Sequence, residues 1–147
     1  MPDKETLKKA RRDAREGKSP STQAGEFVHE EIEHVREGKH GARSTKQAIA
    51  IGLSKARRAG IDLPVSKGTP ARARAQAKRD TAKGRKPATK VSAKRSRAVR
   101  TALKHEGHSA VSSKALAKQA RTSARKRSAS SRSASAKKAA RTRARNA

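Results

Sequence analysis

The chain has 147 residues, of which 40 are Lys or Arg and 12 are Asp or Glu, so its formal net charge at pH 7 is +28. It has no cysteine, tryptophan or tyrosine, and alanine supplies most of its 31% hydrophobic residues. This composition excludes a disulfide framework, a thiolate metal site and a large hydrophobic core. Because the N-terminus is polar and no apolar run could span a membrane, a cytoplasmic protein is expected.

The basic residues are concentrated in the C-terminal part of the chain. Residues 1–64 contain fourteen basic and ten acidic side chains, whereas residues 65–147 contain twenty-six basic and two acidic ones. The sequence therefore predicts a nearly balanced head followed by a strongly cationic tail. Each phosphate that a Lys or Arg neutralises releases condensed counterions, so nucleic acid is the polyanion that such a tail is expected to bind.

The head contains the best-patterned helices of the chain. Residues 1–18 are expected to form one short charged helix, and residues 19–64 a helical hairpin. The first hairpin helix should begin after the capping pair Ser19-Pro20 and run to about Glu37. Its apolar face contains Ala24, Phe27, Val28, Glu31, Ile32 and Val35.

The second hairpin helix has clear signals at both ends. The Ser-x-x-Gln pattern at residues 44–47 is typical of a capping box, so the helix should begin at Thr45 and run to about Ala59. Gly60 then fits the left-handed position that ends many helices. We expect the two helices to pack antiparallel, with Gly52 and several alanines allowing their backbones to approach closely.

Four glutamates, Glu26, Glu30, Glu33 and Glu37, cluster on the opposite side of the first hairpin helix. Such an acidic ridge is most often a solvated helix face. The alternative is that it docks a partner or holds the cationic tail when DNA is absent. Ile51 lies off the apolar face of the second helix and is either an exposed residue or part of the same docking surface.

Residues 65–91 are expected to form a basic linker that contains proline and glycine. Within it, Lys83-Gly84-Arg85-Lys86-Pro87 resembles the core of an AT-hook, in which glycine and proline keep the backbone extended in the narrow minor groove. The alternative is an ordinary basic linker that contacts phosphates without entering the groove.

The remainder of the tail is rich in Ala, Lys, Arg and Ser. Residues 92–127 are predicted to be conditionally helical, with helices near 92–105 and 112–127 that form against DNA. A shift of 68 positions aligns six identical residues within 40–58, so a degenerate repeat of the head is one interpretation of this segment, and biased composition is the alternative. Residues 128–147 are predicted to be disordered. The fold class is therefore all-α, with a small helical-hairpin head and a largely disordered or conditionally helical basic tail.

No catalytic constellation is recognised in the sequence, and no cofactor or metal is expected. His29 and His34 are five positions apart, whereas two zinc ligands on one helix face are four apart. Basic residues are instead predicted to contact phosphates. In the tail these are Lys83, Arg85, Lys86, Lys94, Arg95, Arg97, Arg100, Lys104, Lys114, Lys118, Arg121, Arg125, Lys126 and Arg127, and in the head they are Lys46, Lys55, Arg57 and Arg58.

The stretches from Gly25 to His34 and from Gly41 to Gly60 resemble an uncharacterised family of small basic bacterial proteins. The stretch from Arg97 to Arg125 resembles the C-terminal segment that recurs in that family. The resemblance implies little mechanism, because the members are described as of unknown function or loosely as DNA-binding. The tail is also similar in composition to the tails of linker histones. Neither resemblance implies catalytic residues.

Together these features predict a non-enzymatic protein that binds duplex DNA through its phosphates, with weak sequence dependence, and compacts it in the nucleoid. Readers of single-stranded RNA stack bases on aromatic side chains, and Phe27 is the only Phe, Tyr or Trp in the chain. Two alternatives stay open: binding of structured or ribosomal RNA, and a protein-docking module whose tail only localises it. No membrane partner and no small-molecule substrate are expected.

Overall fold

The computed structural model of the chain describes residues 2–66, 68–86 and 92–145. Within these ranges it contains α-helices and one 3-10 turn and no β-strand, which confirms the predicted all-α class. The elements are α1 (Lys4–Arg15), α2 (Pro20–Arg36), α3 (Thr45–Arg58), α4 (Ala71–Gly84), α5 (Ala93–Lys104), the 3-10 turn (Ser109–Val111), α6 (Ser113–Arg125) and α7 (Ala129–Arg145).

Helices α2 and α3 form the predicted hairpin, and two small apolar clusters lie along it. One cluster contains Phe27 of α2 and Ala56 of α3, and the other contains Val35 and Ala48. Early residues of α2 thus meet late residues of α3, so the helices run antiparallel. Phe27 and Val35 are fully buried, and burial of a side chain of this size stabilises the fold by about 2 kcal/mol.

Gly52 allows the two hairpin helices to approach as closely as the sequence predicted. A Cβ atom at this position would lie 2.7 Å from the Cα of Val28 and 2.9 Å from the carbonyl oxygen of Phe27. Both are backbone atoms of α2, so no side-chain rotation could relieve the overlap. The glycine is therefore required by packing rather than by its backbone conformation.

Replacing Gly52 with alanine is expected to lower the free energy of unfolding by about 2 kcal/mol, because overpacking outweighs the helix propensity that alanine gains over glycine. Gly25 supplies a matched control. It lies in α2, and an added Cβ would have no atom within 4 Å, so Gly25→Ala should raise the free energy of unfolding by about 0.5–1 kcal/mol. Denaturant unfolding measures whether each substitution raises or lowers the free energy of unfolding. Equal stabilisation by the two substitutions would contradict the close packing of α2 and α3.

The predicted ends of α3 are present. The Gln47 N–H donates to Ser44 Oγ at 3.2 Å, while Gln47 Oε1 accepts from the N–H of Arg43 at 2.8 Å. The Gln47 side chain therefore accepts from the backbone of Arg43, one residue before the capping serine, and not from the backbone of Ser44 itself. At the other end Gly60 has φ of +96°, and the N–H of Ile61 donates back to the last turn of α3 at 3.1 Å, as in a Schellman motif.

Two further helices pack against the hairpin, α1 against α2 and α4 against α3. Leu7 and Ala10 of α1 join the cluster around Phe27. In α4, Ala77 and Asp80 are buried. The sequence predicted a linker over 65–91, and the structure differs because an alanine-rich stretch of good helix formers has a buried face to place on α3.

Residues 103–111 fold back onto the loop that precedes α3, in a contact that we call the clasp (residues 41–45 with 103–111). Val111 is 1% exposed and completes the cluster that contains Val35 and Ala48. The sequence did not predict this contact. Its hydrogen bonds run from the Gly41 N–H to Leu103 O at 2.8 Å, from the Ala42 N–H to Gly107 O at 2.9 Å and from Thr45 Oγ1 to Ala110 O at 2.5 Å.

The chain divides into two compact units, residues 1–111 and residues 112–147. The second unit contains α6 and α7. Disorder was predicted for 128–147, but α7 is helical over Ala129–Arg145, since alanine and arginine have high helix propensity. Among the described residues, no helix combines the length and the apolar character needed to cross a bilayer.

The helix boundaries repeat with the 68-residue spacing that the sequence identities showed. Helix α2 ends at Arg36 and α5 ends at Lys104, while α3 begins at Thr45 and α6 begins at Ser113. The serine before α3 and the serine before α6 each accept a hydrogen bond from the backbone N–H three residues later. The two pairs of helices are therefore in the same register, and a repeat of the head stays our interpretation of residues 92–127.

Candidate nucleic-acid interface

Helix α6 carries its basic side chains on one side. Its four Lys and Arg residues occur at positions i, i+4, i+7 and i+11, which fall within about 60° of the helix circumference at 100° per residue. All four side chains are exposed. We call this set the α6 stripe; its members are Lys114, Lys118, Arg121 and Arg125.

Helix α5 has a similar but broader arrangement. Arg97, Arg100 and Lys104 fall within about 60° of arc, and Lys94 extends the same side to about 120°. These four exposed residues form the α5 stripe. Arg95 is also exposed but points to another side of the helix. No residue of α5 is buried, although Ser96 and Leu103 are half-buried.

Helix α4 adds basic residues that the sequence analysis did not single out. Arg72, Arg79 and Lys83 occur at i, i+7 and i+11 and lie on one exposed side. Only Lys83 was predicted. The other two were overlooked because residues 65–91 were interpreted as a linker, in which helical spacing has no meaning.

The AT-hook interpretation does not fit the described part of its segment. Lys83 and Gly84 belong to the last turn of α4, whereas an AT-hook needs an extended backbone. A Cβ on Gly84 would overlap the carbonyl of Arg57, so this glycine packs against the head. Arg85 and Lys86 are exposed beyond the helix. Pro87 lies outside the described residues.

The predicted tail contacts have few competing anions. All fourteen predicted tail residues are exposed. Among the described residues only Arg85 of this set has an ion-pair partner, with Nη2 at 3.9 Å from Asp62 Oδ2. Arg127 instead donates to Ser131 Oγ at 3.3 Å. These cations are therefore compensated by solvent ions, which phosphates could replace.

The basic residues of α7 are spread around the helix. All six of its Lys and Arg side chains are exposed. At 100° per residue, Arg132 and Arg143 lie on one side, whereas Lys137, Lys138, Arg141 and Arg145 fall within about 100° of arc on the opposite side. Helix α7 therefore has two more basic residues than α6, divided between two faces. The six are Arg132, Lys137, Lys138, Arg141, Arg143 and Arg145.

Lys55 was predicted to contact phosphate, but the structure pairs it with two carboxylates of α2. Its Nζ lies 2.7 Å from Glu31 Oε2 and 3.1 Å from Glu30 Oε1, and its side chain is 22% exposed. Burial lowers the pKa of Lys55, but the two carboxylates outweigh it, so the pKa lies above its usual value. A periodicity analysis could not identify this role because the partners belong to another helix.

The three other head residues differ in their availability. Lys46 is exposed. Arg57 is half-buried, and its Nε is buried without a hydrogen-bond partner in the described structure. The Nε of Arg58 donates to Asp80 Oδ1 at 2.8 Å, so Arg58 ties α3 to α4. Only Lys46 of these three is a free surface cation.

Asp80 is the acidic anchor of α4. It accepts hydrogen bonds from Ser54 Oγ at 2.7 Å, from Arg58 Nε at 2.8 Å and from Gln76 Nε2 at 3.1 Å. Burial raises the pKa of Asp80, but these donors outweigh it and the pKa lies below its usual value. The carboxylate therefore stays charged and bound to the head at neutral pH.

The predicted docking surface is not a continuous acidic ridge. Glu30 is buried under α1, where it accepts from the backbone N–H of Asp3 at 3.1 Å. Burial raises the pKa of Glu30, but hydrogen bonds, the largest of them from Thr6, hold it below its usual value. The ridge interpretation failed here because a second helix covers that face.

The other proposed docking residues have local partners or partial cover. Glu33 pairs with Arg36 at 2.8 Å, and Glu37 pairs with Lys39 at 2.9 Å. Glu26 and Ile51 are half-buried. These five residues do not form one exposed surface, so docking a partner through them loses support.

The part of the chain that matches a family model lies mostly in the head. Residues 21–67 match the model of a family of unknown function, DUF6496. The predicted resemblance to an uncharacterised family is thereby confirmed for the hairpin, which forms most of this segment. No curated protein and no solved structure matches the chain. The match brings no activity with it, so a functional proposal has to be argued from the charges themselves.

Proposed function

We propose that the chain is a non-enzymatic, nucleoid-type protein that binds duplex DNA through its phosphates. The α6 stripe carries this proposal. Lys114 and Lys118 repel each other at i and i+4, as do Arg121 and Arg125, so concentrating them on one face opposes helix formation unless an anion is bound. A row of phosphates along a duplex backbone would supply that anion.

The same features favour a duplex over a single strand. Binding of single strands uses aromatic side chains on which bases stack, and Phe27 is fully buried in the hairpin. Lys and Arg on a regular helical face contact the backbone, which carries no sequence information directly. The proposal is therefore weakly sequence-dependent binding, with the α5 stripe and the exposed residues of α4 and α7 adding phosphate contacts.

The hairpin head has a different role in this proposal. Two of its four predicted phosphate contacts, Lys55 and Arg58, are paired with buried carboxylates, so the head adds fewer contacts than the tail. It positions α4 on α3 and holds the clasp. A truncation after residue 64 would remove Asp80 and Val111 from the head, so charge variants of the full chain are the sharper test of which part binds DNA.

A salt titration of the full-length protein tests the proposal. Fluorescent duplex DNA and a structured RNA of equal length would be titrated at about 50 to 300 mM salt. If the basic helices neutralise about ten phosphates, log K for the duplex should fall against log salt with a slope near −9. Equal or tighter binding of the RNA would favour an RNA-associated function. Weak binding to both would favour a docking module.

A further inference from the structure

Two histidines and a buried glutamate converge at the end of α2 and in the loop that follows it. Glu31 and His34 are one turn apart on α2, and His40 lies in the loop after that helix. One ligand atom of each residue lies within 4.8 Å of those of the other two. The two histidine side chains are 13% and 15% exposed, and that of Glu31 is 1% exposed. This group does not include His29, the residue that the sequence analysis compared with His34 as a zinc ligand.

The Glu31 carboxylate is the unusual member of the group. Its Oε1 lies 3.2 Å from His40 Nε2, and its Oε2 lies 2.7 Å from Lys55 Nζ. Despite these short distances, neither oxygen has a hydrogen-bond partner of acceptable geometry in the described structure. A buried carboxylate oxygen ordinarily has at least one hydrogen-bond partner. The lone pairs of Glu31 Oε1 are therefore close to an imidazole but not used by it.

The negative side chains around Glu31 also outnumber the positive ones. Asp3, Glu30 and Glu31 contribute three negative charges, and Lys55 contributes one positive charge. Without the two imidazoles, these side chains carry a net charge of −2. Lys39 lies at the rim, where it pairs with Glu37 at 2.9 Å. One divalent cation bound between the carboxylate and the two imidazoles would balance the group.

The surroundings fit a metal site with a second layer of contacts. His34 Nε2 lies 3.2 Å from Asp3 Oδ2, which is the carboxylate–histidine pairing that orients metal ligands. This leaves Nδ1 of His34, which lies 3.9 Å from Glu30 Oε1, for a cation. Lys55 Nζ lies beside Glu31 Oε2 at 2.7 Å, so that the carboxylate would bind through Oε1 alone. His34 also lines a surface depression of about 170 Å³ on its Asp3 and Glu30 side.

We propose that Glu31, His34 and His40 bind one divalent transition-metal ion. Two imidazole nitrogens and one carboxylate oxygen suit Zn²⁺ or Co²⁺ better than Mg²⁺ or Ca²⁺, which prefer oxygen ligands. Water would complete a tetrahedral set. The ion would tie the loop at His40 to α2, next to the clasp, and it would therefore strengthen the folded head without taking part in phosphate binding.

The test is a metal titration of the untagged full-length protein with Zn²⁺ by calorimetry and with Co²⁺ by visible absorption. We expect one ion per chain, the absorption bands of tetrahedral Co²⁺ and a higher midpoint of thermal unfolding, because the ion binds the folded state. His34→Gln and His40→Gln should each weaken binding by at least about tenfold. His40 lies in a loop, so its replacement should leave the helical circular dichroism unchanged.

Two other histidines serve as matched controls. His29 is exposed on α2, and His105 is exposed just after α5. His29→Gln and His105→Gln should bind the metal as the parent does. The proposal is overturned if the parent binds no stoichiometric ion, or if His40→Gln binds as tightly as the parent. It is also overturned if the His105 variant loses binding, since the ion would then lie elsewhere.

Discussion

Replacing all four residues of the α6 stripe with glutamine should weaken duplex DNA binding by about a thousandfold at about 0.1 M salt. Each phosphate contact contributes about −0.9 to the slope of log K against log salt, so four contacts contribute about −3.6. Between 1 M and about 0.1 M salt, a slope contribution of about −3.6 changes the binding constant by more than three powers of ten. Glutamine keeps a high helix propensity, so the loss would report the charges and not the helix.

Helix α7 offers a variant that removes the same charge without removing a stripe. Replacing Arg132, Lys137, Lys138 and Arg143 with glutamine also lowers the net charge by four. Arg132 and Arg143 lie on one side of α7 and Lys137 and Lys138 on the other at 100° per residue, so about two contacts should be lost whichever side meets the duplex. The slope should then become less negative by about 1.8, half the change expected for the α6 variant.

The comparison separates geometry from total charge. Fluorescence titration at four or five salt concentrations gives both slopes, and far-ultraviolet circular dichroism confirms that each variant keeps its helices. Identical slopes for the two variants would show that DNA responds to net charge alone. The stripe would then be an accident of composition, and the proposal that α6 lies along a duplex backbone would fail.

The parts of the fold that the sequence predicted correctly are those specified by neighbouring residues. The cap at Ser44 and Gln47 and the turn at Gly60 depend on contacts within one helical turn. The apolar face around Phe27 follows from a period of 3.6 residues. Such signals are local, so the bounds of α2 and α3 could be read from the chain to within one residue.

The parts that were missed depend on contacts between distant segments. Asp80 is buried because Ser54 and Arg58 lie opposite it, and nothing in the composition of residues 65–91 indicates that partner. Glu30 has the spacing of a solvated glutamate and is covered by α1. Val111 has few apolar neighbours in sequence, yet it fills the cluster around Val35. Helical periodicity shows which face a residue occupies, but not which element covers that face.

The candidate site was predictable to the same extent. Every tail cation that was named is exposed, because a chain with so few acidic residues cannot pair them. The pairing of Lys55 was missed because its carboxylates, Glu30 and Glu31, come from the helix that it packs against. The group of Glu31, His34 and His40 was not found, since the loop that brings His40 back to α2 has no signature in the sequence.

Replacing Gly41 with alanine should open the clasp and lower the free energy of unfolding of this region by about 4 kcal/mol. The added Cβ would overlap the carbonyl group of Glu106 and lie 2.9 Å from Gly107 O. Both neighbours are backbone, so the segment itself must move. It would lose two backbone hydrogen bonds worth about 1 kcal/mol each and the burial of Val111, worth about 2 kcal/mol.

Gly107 faces the same contact from the opposite segment and provides the control. An added Cβ there would have no atom within 4 Å, so Gly107→Ala should leave the clasp closed. Native-state hydrogen exchange at the amide of Ala42, which donates to Gly107 O at 2.9 Å, measures the opening in both variants. Equal protection in the two proteins would show that the clasp does not hold residues 103–111.

Neither substitution alters a charge, so the salt slope for duplex DNA should stay that of the parent even where the clasp is open. If the slope instead became less negative when the Ala42 amide lost its protection, the α5 stripe would bind phosphate only while the clasp holds it against the head.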